Sequence, residues 1–565
     1  MSFKKLPYGN SNFADLIERN FVYVDKTRFV ELLENENNGF QFFIRPRRFG
    51  KSLFLSTLEH YYDINAKDKF QTLFGDLYIG KNKTPEQGSY AILNFDFSGL
   101  DTDNHEAFRA SFSSKVEQRV NMFFDKYKNI YPDFAKYSQM VDEQRPGIGA
   151  LNFVYRATTD IGIKIFVIID EYDHFANNLI AMGENYKKEV KSGGIVRSFY
   201  ELLKEGTKSV VRRIFITGIN PMMINDLTSG FNMATDYSLF PKYNEMLGFT
   251  KKEVEWTMQE TGVDKSLIKI DMEYYYNGYM FNEEAENRVY NPQMILFLFN
   301  QILLLGKQPK QVVDTNLQTD YQRLRRLAEN ENNREKLLQI IKDGGIFSEV
   351  VEKFSLEKLE SEEYFISLLF YLGMLTNGGN IKGRNWLKIP NYSIKTLYWE
   401  YTVSFAQGIE KKQISTIDLK DVMSKMAYDG DFKAYLDFFT DNYLKRLSNR
   451  DLINFDEKLI KVMLLSTLFT SGFYLPISEN ENINGYTDIY LQKSPSAQDM
   501  KFEYVFELKY LKAGATASEK EAKLAEALGQ LEKYRKDARF ANRSDIKFVA
   551  IIFEGKSDYV AKELV

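Results

Sequence analysis

Two clusters in this 565-residue chain carry the residue types that handle phosphate esters. In the first, Arg45-Pro46-Arg47-Arg48-Phe49-Gly50-Lys51-Ser52 follows apolar Phe42-Phe43-Ile44 and precedes a helix-like run from Leu53 to Tyr62. Strand, tight loop and helix in that order make a phosphate cradle. Gly50 lets the backbone approach an anion, Lys51 reaches terminal phosphates, and Ser52 offers its hydroxyl to Mg²⁺. The start of the helix adds free N–H groups and the positive end of its dipole. The first glycine of G-x-x-x-x-G-K-[ST] is absent, and Arg45 stands in its place. Further along, Lys164-Ile165-Phe166-Val167-Ile168-Ile169-Asp170-Glu171 reads as a buried parallel strand ending in two carboxylates. Alone it is equally a strand followed by a solvated acidic turn. Paired with the loop it predicts an ATP–Mg²⁺ site, with Asp170 holding the metal and Glu171 orienting or deprotonating the attacking water.

The second cluster lies near the carboxyl end. Glu507-Leu508-Lys509 sits in an otherwise apolar strand, where alternation puts Glu507 and Lys509 on one face. Asp488 follows the turn-like Gly485-Tyr486-Thr487 one strand earlier. If these strands pair, Asp488 and Glu507 converge on one divalent cation with Lys509 beside its water, the parts that phosphodiester hydrolysis needs. Gln530 shares a helix face with Tyr534 and could point back into the same place. With 27% charged residues in the chain, an exposed salt-bridge pair is the alternative.

The elements that must carry these groups are legible in the pattern. Strand signals at 41–44, 91–97, 165–169 and 213–217 alternate with helical stretches, including 108–126 and 194–204. That predicts a parallel sheet covered by helices, with sites at the carboxyl ends of its strands. Thr217 and Asn220, at one such end, either sense the γ-phosphate or cap the strand. Thr250-Lys251-Lys252-Glu253 is a capping box that opens a helical lid over about 245–300. Residues 301–440 read as a mostly helical connector. Its helix (364–375) and hairpin signal, Asn377-Gly378-Gly379-Asn380, fit a winged-helix reader or a plain structural link. The last stretch orders helix, three strands, helix and strand. The expected domains are 1–300, 301–440 and 441–565.

Composition narrows the chemistry. No cysteine means no disulfide and no thiolate zinc site. Three scattered histidines, His60, His105 and His174, leave metal binding to carboxylates, which favours Mg²⁺ or Mn²⁺. A net charge of −4 confines nucleic-acid binding to local patches. No apolar run is long enough to cross a bilayer or act as a leader, so a cytoplasmic protein without a membrane partner is expected.

The two halves together resemble a bacterial architecture. The first resembles the AAA-ATPase-like family of P-loop proteins through Tyr23-Val24-Asp25-Lys26-Thr27, the 45–52 loop, Asp170-Glu171-Tyr172-Asp173, Thr217-Gly218, Gly230-Phe231-Asn232, Leu247-Gly248-Phe249-Thr250 and Tyr276-Asn277-Gly278-Tyr279. The second resembles the PD-(D/E)xK nuclease superfamily through Asp488, Glu507, Lys509 and Gln530, with Glu457 on the leading helix. The resemblance implies an α/β P-loop sheet with a helical lid, a helical connector and an α/β nuclease-like domain. It implies ATP, Mg²⁺ and DNA as ligands, with Arg48, Gly50, Lys51, Ser52, Asp170 and Thr217 at the nucleotide. Arg45, Arg47 and Arg48 contact phosphates, act on a neighbouring subunit's nucleotide in a homo-oligomer, or form a salt-bridged turn. An ATP-regulated nuclease is the leading expectation. A nucleotide switch that binds nucleic acid without cutting it is the alternative.

Overall fold

A computed structural model describes residues 3–132, 147–173, 194–221, 233–314, 330–352, 361–409, 416–446, 456–482, 485–494, 497 and 499–564. His174 and the Gly230-Phe231-Asn232 motif lie outside them. The chain divides into two compact units. One is Met1–Lys265, Met272–Leu303 and Phe347–Pro390, and the other is Ser266–Asp271, Leu304–Ile346 and Asn391–Val565.

The first unit is built on five parallel strands: β1 (Phe40–Ile44), β2 (Tyr90–Asp96), β3 (Lys164–Asp170), β4 (Val211–Gly218) and β5 (Thr235–Asp236). Their order is β2-β3-β4-β1-β5. Four match the apolar runs, because a strand covered on both faces is apolar throughout; Ile165 to Ile169 are all buried. β5 is only two residues long and leaves no such signal. The covering helices include α1 (Lys51–Tyr62), α2 (His105–Lys126), α3 (Ala150–Ile161) and α4 (Ile195–Thr207). α2 buries Phe108, Phe112, Val116, Val120, Phe123 and Phe124, a helical stripe aimed at the sheet. Phe112 meets Phe97 at 4.9 Å and Phe199 at 5.6 Å between ring centroids.

The stretch expected as a lid opens with α5 (Lys251–Thr261), where Thr250 and Glu253 form the expected reciprocal capping box, and ends on α6 (Pro292–Leu305). The stretch expected as a connector is shared between the two units. Helix α7 (Glu362–Tyr371) and the hairpin β6 (Thr376–Ile381) and β7 (Arg384–Lys388) belong to the first. Backbone and side-chain bonds hold the hairpin there. Asn377 N–H donates to the Met280 carbonyl at 3.0 Å, Met280 N–H donates to Thr376 Oγ1 at 2.7 Å, and Arg288 donates to the Asn377 carbonyl at 3.1 Å.

The second unit contains α8 (Glu457–Thr470), β8 (Tyr474–Asn482), β9 (Gly485–Lys493), β10 (Glu503–Leu511), α9 (Ala517–Tyr534), β11 (Ile546–Glu554) and β12 (Asp558–Glu563). The sheet order is β12-β11-β10-β9-β8. Only β10 and β11 run parallel, joined by the α9 crossover. β12 was not anticipated; its alternating half-exposed pattern is that of an edge strand with little apolar signal. Among the described residues no helix is long and apolar enough to cross a membrane.

Candidate active sites

The nucleotide-type centre forms where β1, β3 and β4 end. Gly50 takes φ +96°, the left-handed conformation glycine favours, and hands the chain into α1 at Lys51. Lys51 is 9% exposed, and its ammonium donates to the Arg45 and Pro46 carbonyls at 2.9 and 3.0 Å. Burial lowers its pKa, while Asp170, Asp173 and Glu171 pull the other way. Ser52 Oγ donates to Asp170 Oδ2 at 2.7 Å. Burial raises the Asp170 pKa, and the Ser52 bond and Lys51 oppose it. Glu171 follows at φ +49°, with its N–H on Asp170 Oδ1. Lysine, hydroxyl and two carboxylates thus gather at one strand edge. Arg48, at φ +67°, is half-buried in the same loop.

A cleft of about 400 Å³ opens from this centre. Gly50, Lys51, Ser52, Arg48 and Glu171 line its polar end. Val22, Leu247, Phe249, Pro292 and Leu296 supply apolar walls from the first residues and the lid. The wall is pinned by Lys26, whose ammonium donates to both Glu253 oxygens at 2.6 and 2.7 Å and to the Glu245 carbonyl at 2.9 Å.

Two expected residues have other work. Arg45 is 1% exposed and stands away from the cleft walls, so it is a framework residue of the loop. The Thr217 hydroxyl donates to the Phe43 carbonyl at 2.6 Å and is buried inside the sheet; it does not line the cleft. Asp173, given no role by the sequence beyond its place in the motif, accepts the N–H groups of Ile219 and Asn220 at 3.1 and 3.0 Å. It thereby closes the end of β4 against β3. Gly218 is required there, because a Cβ would collide with the Asp173 carboxylate and the Tyr172 ring. Gly218→Ala is expected to cost about 2–4 kcal/mol and to weaken nucleotide binding. A urea titration with an ATP-binding isotherm checks both.

The second centre lies on β9 and β10, which pair antiparallel with Ile489 opposite Phe506. Asp488 Oδ2 accepts the Leu508 N–H at 3.0 Å. Lys509 Nζ donates to Glu507 Oε1 at 2.8 Å. Glu507 is 2% exposed, and burial, then the Asp488 charge, push its pKa up to about 7 against the pull of Lys509. Burial opposes the charged form of Lys509, but its bond to Glu507 and the surrounding carboxylates outweigh that and raise its pKa. Lys509 is therefore a held cation. Glu457 Oε2 accepts the Tyr510 N–H at 3.2 Å, and the Tyr534 hydroxyl lies in the field of Glu507 and Asp488 and within hydrogen-bonding reach of Glu507. Gln530 sits one turn before Tyr534 on α9. Lys461, which the sequence did not single out, reaches Asp488 Oδ1 at 3.4 Å.

This arrangement suits an oxygen-seeking cation. Glu507 Oε2 is buried and accepts no hydrogen bond among the described residues; the same holds of Gln530 Oε1 on α9, which no described contact ties to Asp488 or Glu507. Such oxygens are costly unless something positive meets them. Among those residues no group of three or more His, Cys, Asp or Glu gathers to hold a metal, so Asp488 and Glu507 would need water or amide oxygen to complete a shell.

Residues 7–228 match the family model described as predicted AAA-ATPase, and residues 455–563 match that of the PD-(D/E)XK nuclease superfamily. An uncharacterized protein from the region 5′ of vnfD in Azotobacter chroococcum is 28% identical over 309 residues, covering 53% of each chain. The chain thus spans about half the length of that relative. Among solved structures, a Walker-type ATPase of Pyrococcus abyssi is 13% identical at a TM-score of 0.38, covering 66% of this chain and 94% of its own. The ORC2 protein of Aeropyrum pernix is 8% identical at a TM-score of 0.30, covering 70% and 94%.

Proposed function

From a chain that carries an AAA-ATPase-like segment ahead of a PD-(D/E)XK nuclease segment, we propose an ATP-binding and ATP-hydrolysing protein whose second unit cuts DNA with Mg²⁺ or Mn²⁺. The observation that carries the nuclease reading is buried Glu507 beside Asp488 and the Lys509 ammonium, with an Oε2 that accepts no hydrogen bond among the described residues. A buried carboxylate oxygen left without a donor is the exception in folded proteins, and it is the atom an incoming cation would meet.

In the first unit, Lys51 exchanges its bonds to the Arg45 and Pro46 carbonyls for the phosphates of ATP. Ser52 and Asp170 hold the cation that accompanies them, and Glu171 accepts the proton of the attacking water. The nucleoside occupies the apolar end of the cleft. In the second unit, Asp488 and Glu507 hold the divalent cation, Lys509 places the nucleophile and offsets developing charge, and Gln530 orients the reacting groups. A bound divalent cation supplies charge neutralisation on phosphate oxygens and a more acidic water. Nucleotide occupancy regulates cleavage.

Cleavage of circular and linear DNA in Mg²⁺, with and without ATP, tests this in intact protein, Lys51→Ala and Glu507→Ala. ATP-sensitive cutting that disappears in Glu507→Ala, and loses its ATP response in Lys51→Ala, is the expected result. ATP hydrolysis without cutting in any condition would instead support a switch that binds nucleic acid.

A further inference from the structure

Helix α8 brings two groups to the second centre from adjacent turns, Glu457 and Lys461. The helix around them is packed, with Leu459, Ile460, Met463 and Leu464 all buried, so it presents this pair from a fixed platform. Lys461 Nζ stands 3.4 Å from Asp488 Oδ1, with its side chain 13% exposed and that of Asp488 23% exposed. The other Asp488 oxygen is already taken by the Leu508 N–H. Each acid of the pair therefore carries one lysine, Lys461 on Asp488 and Lys509 on Glu507.

A surface ion pair would be unremarkable, because such pairs contribute little. This one is half-sheltered and occupies the oxygen that a cation held by Asp488 would need. Three carboxylates, Glu457, Asp488 and Glu507, face two ammoniums, a formal charge of −1. With a divalent cation the same cluster becomes positive, the sign that a phosphodiester requires.

Resting on the nuclease reading above, we propose that Lys461 is an exchangeable counter-ion. It holds Asp488 Oδ1 while the centre lacks a cation, and yields that oxygen and contacts a non-bridging oxygen of the DNA phosphodiester when a cation binds. Lys461 thereby ties cation binding to substrate binding. A permanent partner of Asp488 would instead compete with the metal throughout turnover.

The test uses the full chain as Lys461→Met and Lys461→Arg, with thermal unfolding run to confirm that both fold. Mn²⁺ affinity is measured by calorimetry without DNA, and KM and kcat for DNA are measured at saturating Mn²⁺. Removing a like charge is expected to tighten Mn²⁺ binding roughly tenfold in Lys461→Met. KM is expected to rise by about the same factor with kcat less affected, and the salt slope of DNA binding to fall by about one. Lys461→Arg is expected to restore KM. Unchanged or weakened Mn²⁺ affinity in Lys461→Met overturns the proposal, because a structural or positioning pair gives that result. So does an unchanged KM. Glu507→Ala separates the two claims. Mn²⁺ binding lost in that variant with no DNA cut by the intact protein sinks the nuclease reading, while the Mn²⁺ competition in Lys461→Met still decides whether the lysine exchanges. Mn²⁺ binding unaffected by Glu507→Ala sinks both.

Discussion

Glu507→Gln is expected to abolish DNA cleavage and, in the absence of divalent cations, to make the protein more stable at pH 8. Cleavage should fall by roughly a thousandfold or more, since the change removes a charged oxygen from the cation site. The stability gain follows from the buried carboxyl. Its folded pKa, raised from 4.5 to about 7, means the folded state holds this proton more tightly than the unfolded chain does. Where the folded state binds more protons, stability falls as pH rises. The loss begins near the unfolded value and is complete above the folded one. The full shift corresponds to an upper limit of about 3 kcal/mol, reduced because Lys509 loses its partner in the variant. An increase of about 1–2 kcal/mol at pH 8 is expected, shrinking toward zero or reversing near pH 5. Thermal unfolding at both pH values in chelator measures it, and Mn²⁺ should stabilise the parent but not Glu507→Gln. A variant less stable than the parent at pH 8 would show that the carboxylate is fully compensated by Lys509.

Arg45→Gly, which restores the glycine of the usual phosphate loop, is expected to damage the site. The guanidinium donates to the carbonyls of Ile44 at 2.9 Å, Ser238 at 2.6 Å and Tyr243 at 3.1 Å. It lies 4.3 Å from the Phe43 ring centre and 3.9 Å from that of Phe281. Removing it strips three carbonyls of a donor, at about 1–3 kcal/mol for each left unsatisfied, and opens a void between two rings. A loss of about 4 kcal/mol or more is expected, together with loss of measurable ATP binding. Arg45→Lys should rescue little, because one ammonium cannot span the same fork of acceptors. A urea midpoint close to that of the parent in Arg45→Gly would overturn this account.

Much of both centres was legible because their chemistry is local. Gly50, Lys51 and Ser52 are adjacent, and Glu507 and Lys509 share a face by strand alternation. Asp488 joined them because β9 and β10 pair as a short-range antiparallel unit. What escaped depends on distant partners. Nothing near Arg45 in sequence says that Ser238 and Tyr243 will receive its guanidinium. Lys461 looks like any lysine on a helix until β9 brings Asp488 to it. Thr217 looked like a phosphate sensor, but its hydroxyl answers the carbonyl of the neighbouring strand. The 301–440 stretch read as one connector because composition does not reveal that its hairpin bonds to Met280.

Strand order also sets a timetable for assembly. β1 is flanked by β4 and β5, and the Arg45 bonds to Ser238 and Tyr243 bridge 193 and 198 residues of chain. The phosphate loop is encoded early, yet it cannot take its shape until a segment synthesised much later has folded beside it. A nascent chain that stops before Ser238 contains Gly50, Lys51, Ser52 and Asp170 but lacks the framework that holds them. Ribosome-bound intermediates of increasing length should therefore acquire nucleotide binding abruptly once Tyr243 has emerged. Until then the open edge of β1 is exposed to chaperones and to mispairing.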